Sequence, residues 1–178
     1  MLIPCWLALA AGALPADDLA DRVFADVNGQ IVLESDTRID ARLSAVDPGE
    51  TPFWSDLWGS SRDRVVDAAV IRVVAAEVGI YTPAEEAVRA RLDALQARLG
   101  GAVELRAFRR ELGLQERALV EVLRRRLVVD LYLLRNLRAD PSNGLAWRGE
   151  AKEHVRRLQS RLRIRTIPIQ SPRPSPTP

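Results

Sequence analysis

The first pattern along the chain is a short alternation of apolar and polar residues that an Asn-Gly pair interrupts. Residues 23–27 and 30–33 have the composition of strands, and Asn28 and Gly29 lie between them. Asn-Gly is favoured in a type I′ turn because both central residues of that turn need positive φ. The pattern therefore predicts a β-hairpin near the start of the folded chain.

Most of the remaining chain repeats its apolar residues every three or four positions, which is typical of amphipathic helices. The sequence predicts a first helix that Ser35 caps. A later helix is predicted to start with a capping box, Thr82 to Glu85, that has Pro83 at the first helical position. Clusters of Gly and Pro separate the later helices. These helices are predicted over residues 62–78, 82–99, 102–112, 115–138 and 145–161.

The alternation returns near the C-terminus, where residues 161–167 place arginines opposite mostly apolar residues. This pattern predicts a half-buried strand. Three short strands at the two ends of a helical chain are expected to meet in one small sheet. The predicted fold class is therefore mainly α with a small β-sheet, in which the C-terminal strand joins the N-terminal β-hairpin and closes one domain over residues 17–167.

The two ends of the chain differ from this predicted domain. Residues 1–16 contain an apolar stretch as long as a signal-peptide core and too short to cross a bilayer, although no Lys or Arg precedes it. We expect a cleaved export signal, with a retained anchor or a buried N-terminal segment as alternatives. Residues 168–178 contain five prolines and predict an extended, disordered tail, either a linker or a proline-rich docking motif.

The amino-acid composition argues against several classes of enzyme. The 178 residues include one Cys and one His, which excludes an intrachain disulfide and any multi-cysteine or two-histidine metal site. No glycine-rich phosphate loop or nucleophile elbow occurs. The single histidine, His154, is predicted to pair with Glu150 at a helix surface. We therefore expect no enzymatic activity, no cofactor and no metal.

Charge is distributed unevenly although the formal net charge is only +2. Residues 1–101 have a net charge of −7 and residues 102–178 a net charge of +9. The basic half is expected to pair with the acidic half within the fold, with recognition of acidic client groups and nucleic-acid binding as alternatives. Arg124 to Arg126 span about 200° of a helix and cannot all face one partner. Few aromatic residues occur in the basic half, which disfavours nucleic acid.

Several segments of the chain resemble a known family. Residues 23–36, VFADVNGQIVLESD, followed by a helix, resemble the opening of the periplasmic chaperones of the SurA family. Residues 65–88 continue similarly, and residues 144–167 resemble the returning C-terminal helix and strand of that family. The resemblance covers residues 20–167. It implies a periplasmic protein that binds unfolded outer-membrane polypeptides without ATP.

The chain departs from the SurA family in what lies between its last two helices. In that family, parvulin-type prolyl isomerase domains usually occupy this position, and their active sites use a pair of histidines. Here the position holds only residues 139–144, and the chain has one histidine. The resemblance therefore implies a chaperone module without prolyl isomerase activity. The alternative is a scaffold or assembly protein that binds one specific folded partner in the cell envelope.

A loop over residues 47–61 contains the best candidates for client binding. Holding an unfolded client requires exposed apolar surface that polar residues border. The loop carries three aromatic side chains and a leucine, which we predict to be the peptide-binding residues: Phe53, Trp54, Leu57 and Trp58. The alternative is that the three rings cap the helical core from the loop.

Overall fold

The computed structural model of the protein describes residues 21–167, so the predicted signal segment and the predicted tail lie outside the described residues. Within this range the protein is mainly helical and has one three-stranded antiparallel sheet, which confirms the predicted fold class. The elements in chain order are β1 Val23–Val27, β2 Gln30–Leu33, α1 Glu34–Val46, α2 Ser61–Val78, α3 Glu85–Leu99, α4 Ala102–Glu111, α5 Glu116–Asn136, α6 Gly144–Gln159 and β3 Ile164–Thr166. A single 3₁₀ turn, Pro52–Trp54, lies in the loop between α1 and α2.

The hairpin forms where the Asn-Gly pair predicts it. Asn28 and Gly29 have φ values of 51° and 90°, both in the left-handed region that the turn requires. The backbone N–H of Gly29 donates to Asp26 Oδ1 at 2.7 Å, which holds the turn closed. The strand order is β2-β1-β3, so the C-terminal strand pairs with the first strand of the hairpin. The predicted joining of the two ends of the domain is therefore confirmed.

Two predicted helix caps are wrong. Helix α1 begins at Glu34, and Asp36 Oδ2 accepts from the backbone N–H of Leu33 at 2.9 Å. The Ser35 hydroxyl instead donates to Asp21, which precedes the hairpin. Helix α3 begins at Glu85 without a side-chain cap, because the N-cap residue is Ala84, which has no side-chain hydrogen-bond acceptor.

Within residues 21–167 the core consists of two apolar clusters that α5 connects. The larger cluster lies between the sheet, α2, α6 and the C-terminal half of α5. The smaller cluster joins α1, α3, α4 and the N-terminal half of α5, and its buried members are Leu43, Leu95, Phe108, Leu119 and Leu123. None of the helices within residues 21–167 is long and apolar enough to cross a membrane.

Between these clusters lies a set of buried charged side chains that we call the buried ion network. Its members come from α1, the following loop, α2, α3 and α5: Asp40, Asp47, Arg64, Arg91, Arg126 and Asp130. Arg64 Nε donates to Asp40 Oδ2 at 2.8 Å, and Arg126 Nη1 lies 3.4 Å from Asp40 Oδ1. Since Arg126 belongs to the basic half and Asp40 to the acidic half, the two halves do pair within the fold.

Candidate functional site

Three of the four predicted peptide-binding residues lie in the core. Phe53, Trp54 and Trp58 are each at most 4% exposed, whereas Leu57 is 68% exposed. The prediction that the loop presents an aromatic cluster to solvent is therefore wrong for the three rings. The alternative, in which they cap the core from the loop, describes their position.

Trp54 is held in place by charged groups of α5. Its indole Nε1 donates to Asp130 Oδ1 at 3.0 Å, and the guanidinium carbon of Arg126 lies 3.8 Å from the centre of its ring. Burial raises the pKa of Asp130, and hydrogen bonds from Thr51 and the backbone of Glu50 partly oppose this rise. The polar atoms of the loop thus find partners inside the protein, which keeps this part of the loop on the core.

Gly49 makes this arrangement of the loop possible. Its φ of +78° lies in the left-handed region, and a Cβ at this position would lie 2.1 Å from Trp54 Cδ1. A side chain here would therefore meet both backbone strain and the indole ring. Glycine at position 49 allows the loop to close over Trp54.

A different surface combines apolar side chains with access from solvent. A groove of about 710 Å³ lies between the open edge of the sheet, the start of α2 and α6, and we call it the sheet–α6 groove. Its apolar lining consists of Phe24, Trp58, Val66, Val155 and Ile167. Its charged lining carries both signs and consists of Arg62, Asp63, Asp67, Lys152 and Arg156. Of the four predicted residues, only Trp58 contributes to this groove.

Asp67 connects the two walls of the sheet–α6 groove. Its Oδ2 accepts from Trp58 Nε1 at 2.9 Å, and its Oδ1 accepts from Gln159 Nε2 at 2.7 Å. Burial is the main reason that the pKa of Asp67 rises to about 6, and the nearby Asp63 adds to the rise. The two hydrogen bonds and Lys152 oppose it. Asp67 is therefore a carboxyl group whose charge changes in mildly acidic solution.

Comparisons with protein-family models, curated proteins and solved structures find no match. The case for any function therefore depends on the geometry and on the sequence resemblance. The sequence did not predict the groove because its lining comes from β1, α2, α6 and the end of β3, which are far apart in the chain. Ile167, which lines the groove, directly follows β3 and belongs to the alternating segment 161–167 that predicts a half-buried strand.

His154 does not form the predicted pair with Glu150. The carboxylate of Glu150 accepts instead from the backbone N–H groups of Arg138 and Ala139, at 3.0 and 2.8 Å. His154 Nε2 lies 3.1 Å from the Tyr132 hydroxyl. Burial lowers the pKa of His154, and repulsion by Arg157 lowers it further. The imidazole is thus a partly buried hydrogen-bonding partner of α5.

Stability should depend on pH through Asp67. The pKa of Asp67 rises from 3.8 to about 6 on folding. Between these two pH values the carboxyl group is therefore mostly protonated in the folded protein and mostly ionised in the unfolded chain. Stability therefore falls as the pH rises from about 4 to about 6, by up to roughly 2–3 kcal/mol relative to an Asp67→Asn variant. Urea unfolding of both proteins at pH 4, 5, 6 and 7 measures this difference. The hydrogen bond that Asp67→Asn loses adds the same amount to the difference in free energy of unfolding at every pH. A difference between the two proteins that does not vary with pH would therefore contradict the prediction.

Proposed function

We propose that this chain is an ATP-independent periplasmic chaperone that binds unfolded outer-membrane polypeptides and lacks prolyl isomerase activity. The observation that carries the proposal is the sheet–α6 groove. Ile167 is exposed there, the other apolar lining side chains are buried or partly buried, and charged side chains lie beside them. The resemblance of residues 23–36 and 144–167 to the SurA family supports the same function independently of the groove.

The size and composition of the groove suit a short segment of a client chain. Protein pockets that bind ligands typically have volumes of about 300–1,000 Å³, and the 710 Å³ of this groove lies within that range. Apolar side chains of a client would contact Phe24, Val155 and Ile167, while its polar groups would meet charged residues of either sign. Such a surface selects for apolar character rather than for one sequence.

The sheet offers a second contribution to binding beside the groove. Strand β3 is at one edge of the sheet, and within residues 21–167 no strand pairs with its outer side. An extended polypeptide can add to such an edge through main-chain hydrogen bonds, which do not depend on the client's sequence. Thr166 and Ile167 belong to or directly follow this strand and also line the groove. A client could therefore use both features at once.

The first test of the proposed function is suppression of aggregation. An outer-membrane protein is diluted out of urea in the presence of increasing amounts of this protein, and light scattering is followed. We expect suppression at equimolar or lower amounts. Scattering that is unchanged at severalfold excess would contradict the chaperone proposal. Saturable binding to a single folded envelope protein, together with unchanged scattering, would instead favour the scaffold alternative.

A matched pair of variants tests whether the groove is the binding surface. Ile167→Gln removes an exposed apolar side chain from the groove, and Ile31→Gln makes the same change on β2, at the other edge of the sheet. The two isoleucines are 48% and 50% exposed, so neither change should unfold the protein. A bound client would bury Ile167, so Ile167→Gln should weaken client binding about fivefold to tenfold. Ile31→Gln should leave the affinity unchanged.

Fluorescence anisotropy with a labelled, unfolded outer-membrane segment measures the affinity of both variants. Circular dichroism verifies that each variant retains its helical content. Equal loss of affinity in the two variants, or none in either, would remove the groove as the binding surface.

A further inference from the structure

A small pocket separate from the sheet–α6 groove lies between α1, α2 and α5. It has a volume of about 60 Å³, and none of its lining residues belongs to the groove. Half of its lining residues are aliphatic: Val32, Ile39, Leu43, Val65, Ala68 and Val122. Three arginines also line it, Arg72, Arg125 and Arg126, and we call it the arginine pocket. Its remaining lining residues are Trp54 and the carboxylates Asp36 and Asp40. Asp40 pairs with Arg64 and Arg126, and Asp36 accepts from the backbone N–H of Leu33.

Arg72 is a partly buried cation that lacks a counter-ion. Within residues 21–167, no carboxylate lies within the 4.0 Å of an ion pair with its guanidinium, and its Nε is buried without a hydrogen-bond partner. When the side-chain amide of Gln30 is oriented so that its nitrogen donates to the backbone oxygen of Ala69, its oxygen accepts from Arg72 Nη2 at 3.3 Å. Burial lowers the pKa of Arg72 to about 10, and repulsion by Arg125 contributes, although Asp36 and Glu121 attract it from a distance.

The other two arginines place further donors at the pocket. Arg126 is 4% exposed, and its Nε is also buried without a partner, while its Nη atoms bind Asp40, Ser44 and the backbone oxygen of Asp47. Arg125 is exposed and pairs with Glu121 at 3.3 Å on the surface of α5. A surface pair of this kind contributes little stability, so Arg125 is available to a ligand.

This arrangement favours an anion of particular shape. Guanidinium groups bind carboxylates through paired, charge-assisted hydrogen bonds, and these are strong where water is largely excluded. A water molecule needs about 10–15 Å³ on the same measure, so the pocket admits a group as large as several waters. A carboxylate attached to a short aliphatic side chain would place its charge against the arginines and its methyl groups against the wall.

We propose that the arginine pocket binds the terminal carboxylate of a polypeptide that ends in a small aliphatic residue such as valine. The inference rests on the proposed function, because binding of unfolded polypeptides is what makes a chain end the relevant carboxylate. The bound carboxylate would supply the counter-ion that Arg72 lacks and would offset the repulsion between Arg72 and Arg125.

A pair of peptides tests this proposal with the full chain. The probes are a fluorescein-labelled pentapeptide, Gly-Ser-Gly-Ala-Val, with a free C-terminal carboxylate, and the same peptide with a C-terminal amide. From the usual strength of hydrogen bonds to charged groups, we expect the free acid to bind at least about tenfold more tightly than the amide. Equal affinities would overturn the proposal. Sodium isovalerate is a free carboxylate without a peptide. If it displaced the free-acid peptide at a concentration equal to that peptide's Kd, the assignment to a chain end would be overturned.

Variants then locate the preference for the free acid. Arg72→Gln should reduce the ratio of the two affinities to below about two, since one charge-assisted contact is lost. Arg106→Gln removes an equal charge from the exposed surface of α4 and should leave the ratio unchanged. Arg125→Gln should also lower the ratio. Because Arg125 is exposed, this variant provides the test if Arg72→Gln does not fold. A ratio that neither pocket variant changes would overturn the proposal.

The two proposals fail in distinguishable ways. If the acid and the amide bind equally while aggregation is still suppressed, the pocket proposal fails and the chaperone proposal stands. If the free acid is preferred and aggregation is not suppressed, the chaperone proposal fails and the pocket remains a carboxylate site.

Discussion

Replacing Trp54 with alanine should lower the free energy of unfolding by about 3–5 kcal/mol, the usual cost of truncating a large buried aromatic. The indole ring is buried, donates to Asp130 and lies under the guanidinium of Arg126. It also packs edge-on against Phe53, with ring centres 4.7 Å apart. The substitution would create a cavity and remove a hydrogen bond from a buried carboxyl group. Urea unfolding followed by circular dichroism measures the change.

Leu57→Ala is the matched control for this prediction. Leu57 lies in the same loop and is 68% exposed, so its truncation should change the free energy of unfolding by less than about 0.5 kcal/mol. If Trp54→Ala were as mild as Leu57→Ala, the position of the ring in the core would be wrong. The comparison therefore separates the two alternatives that the sequence leaves open for this loop.

Neutralising Asp40 should also cost about 3–5 kcal/mol, because removing one partner of a buried ion pair leaves the other charge uncompensated. Asp40 receives 2.8 Å and 3.4 Å contacts from Arg64 and Arg126. Burial already lowers the pKa of Arg126 to about 10, and Asp40 is the carboxylate that opposes this shift most. Asp40→Asn preserves the size of the side chain and removes its charge. The free energy of unfolding in urea at pH 7 is the measurement.

The control for Asp40 is an ion pair of similar geometry at the surface. Glu34 accepts from Arg62 at 2.8 Å, and both side chains are substantially exposed. Glu34→Gln should cost less than about 1 kcal/mol, since water screens such a pair. A cost of less than about 1 kcal/mol for Asp40→Asn as well would show that the buried network does not depend on charge.

The hairpin and the helices could be predicted from sequence because their signals are local. The Asn28-Gly29 pair determines the turn, and the spacing of apolar residues identifies the helices, within a few residues at each end. The helix starts were harder, because a cap depends on which partner the side chain finds. Asp21 competes for the Ser35 hydroxyl, and nothing in the sequence near Ser35 indicates this contact.

The positions of the aromatic side chains could not be predicted for a related reason. The hydrogen-bond partner of Trp54, Asp130, lies 76 residues further along the chain. An aromatic residue in a loop has the same sequence pattern whether or not such a partner exists. The arginine pocket did leave a sequence signal: Arg72 interrupts an apolar run between Ile71 and Val73 in the middle of α2. A single cation in such a position indicates a buried charge that requires an explanation.

The pairing of β1 with β3 joins the two ends of the described part of the chain. The helices depend on neighbouring residues, whereas this pairing joins residues 25–27 to residues 164–166 and must close almost the entire domain. Closing so long a loop carries a large entropic cost, which slows the formation of such contacts. Because Thr166 and Ile167 line the sheet–α6 groove, the groove is complete only once this pairing has formed. The surface proposed to bind clients therefore requires both ends of the domain.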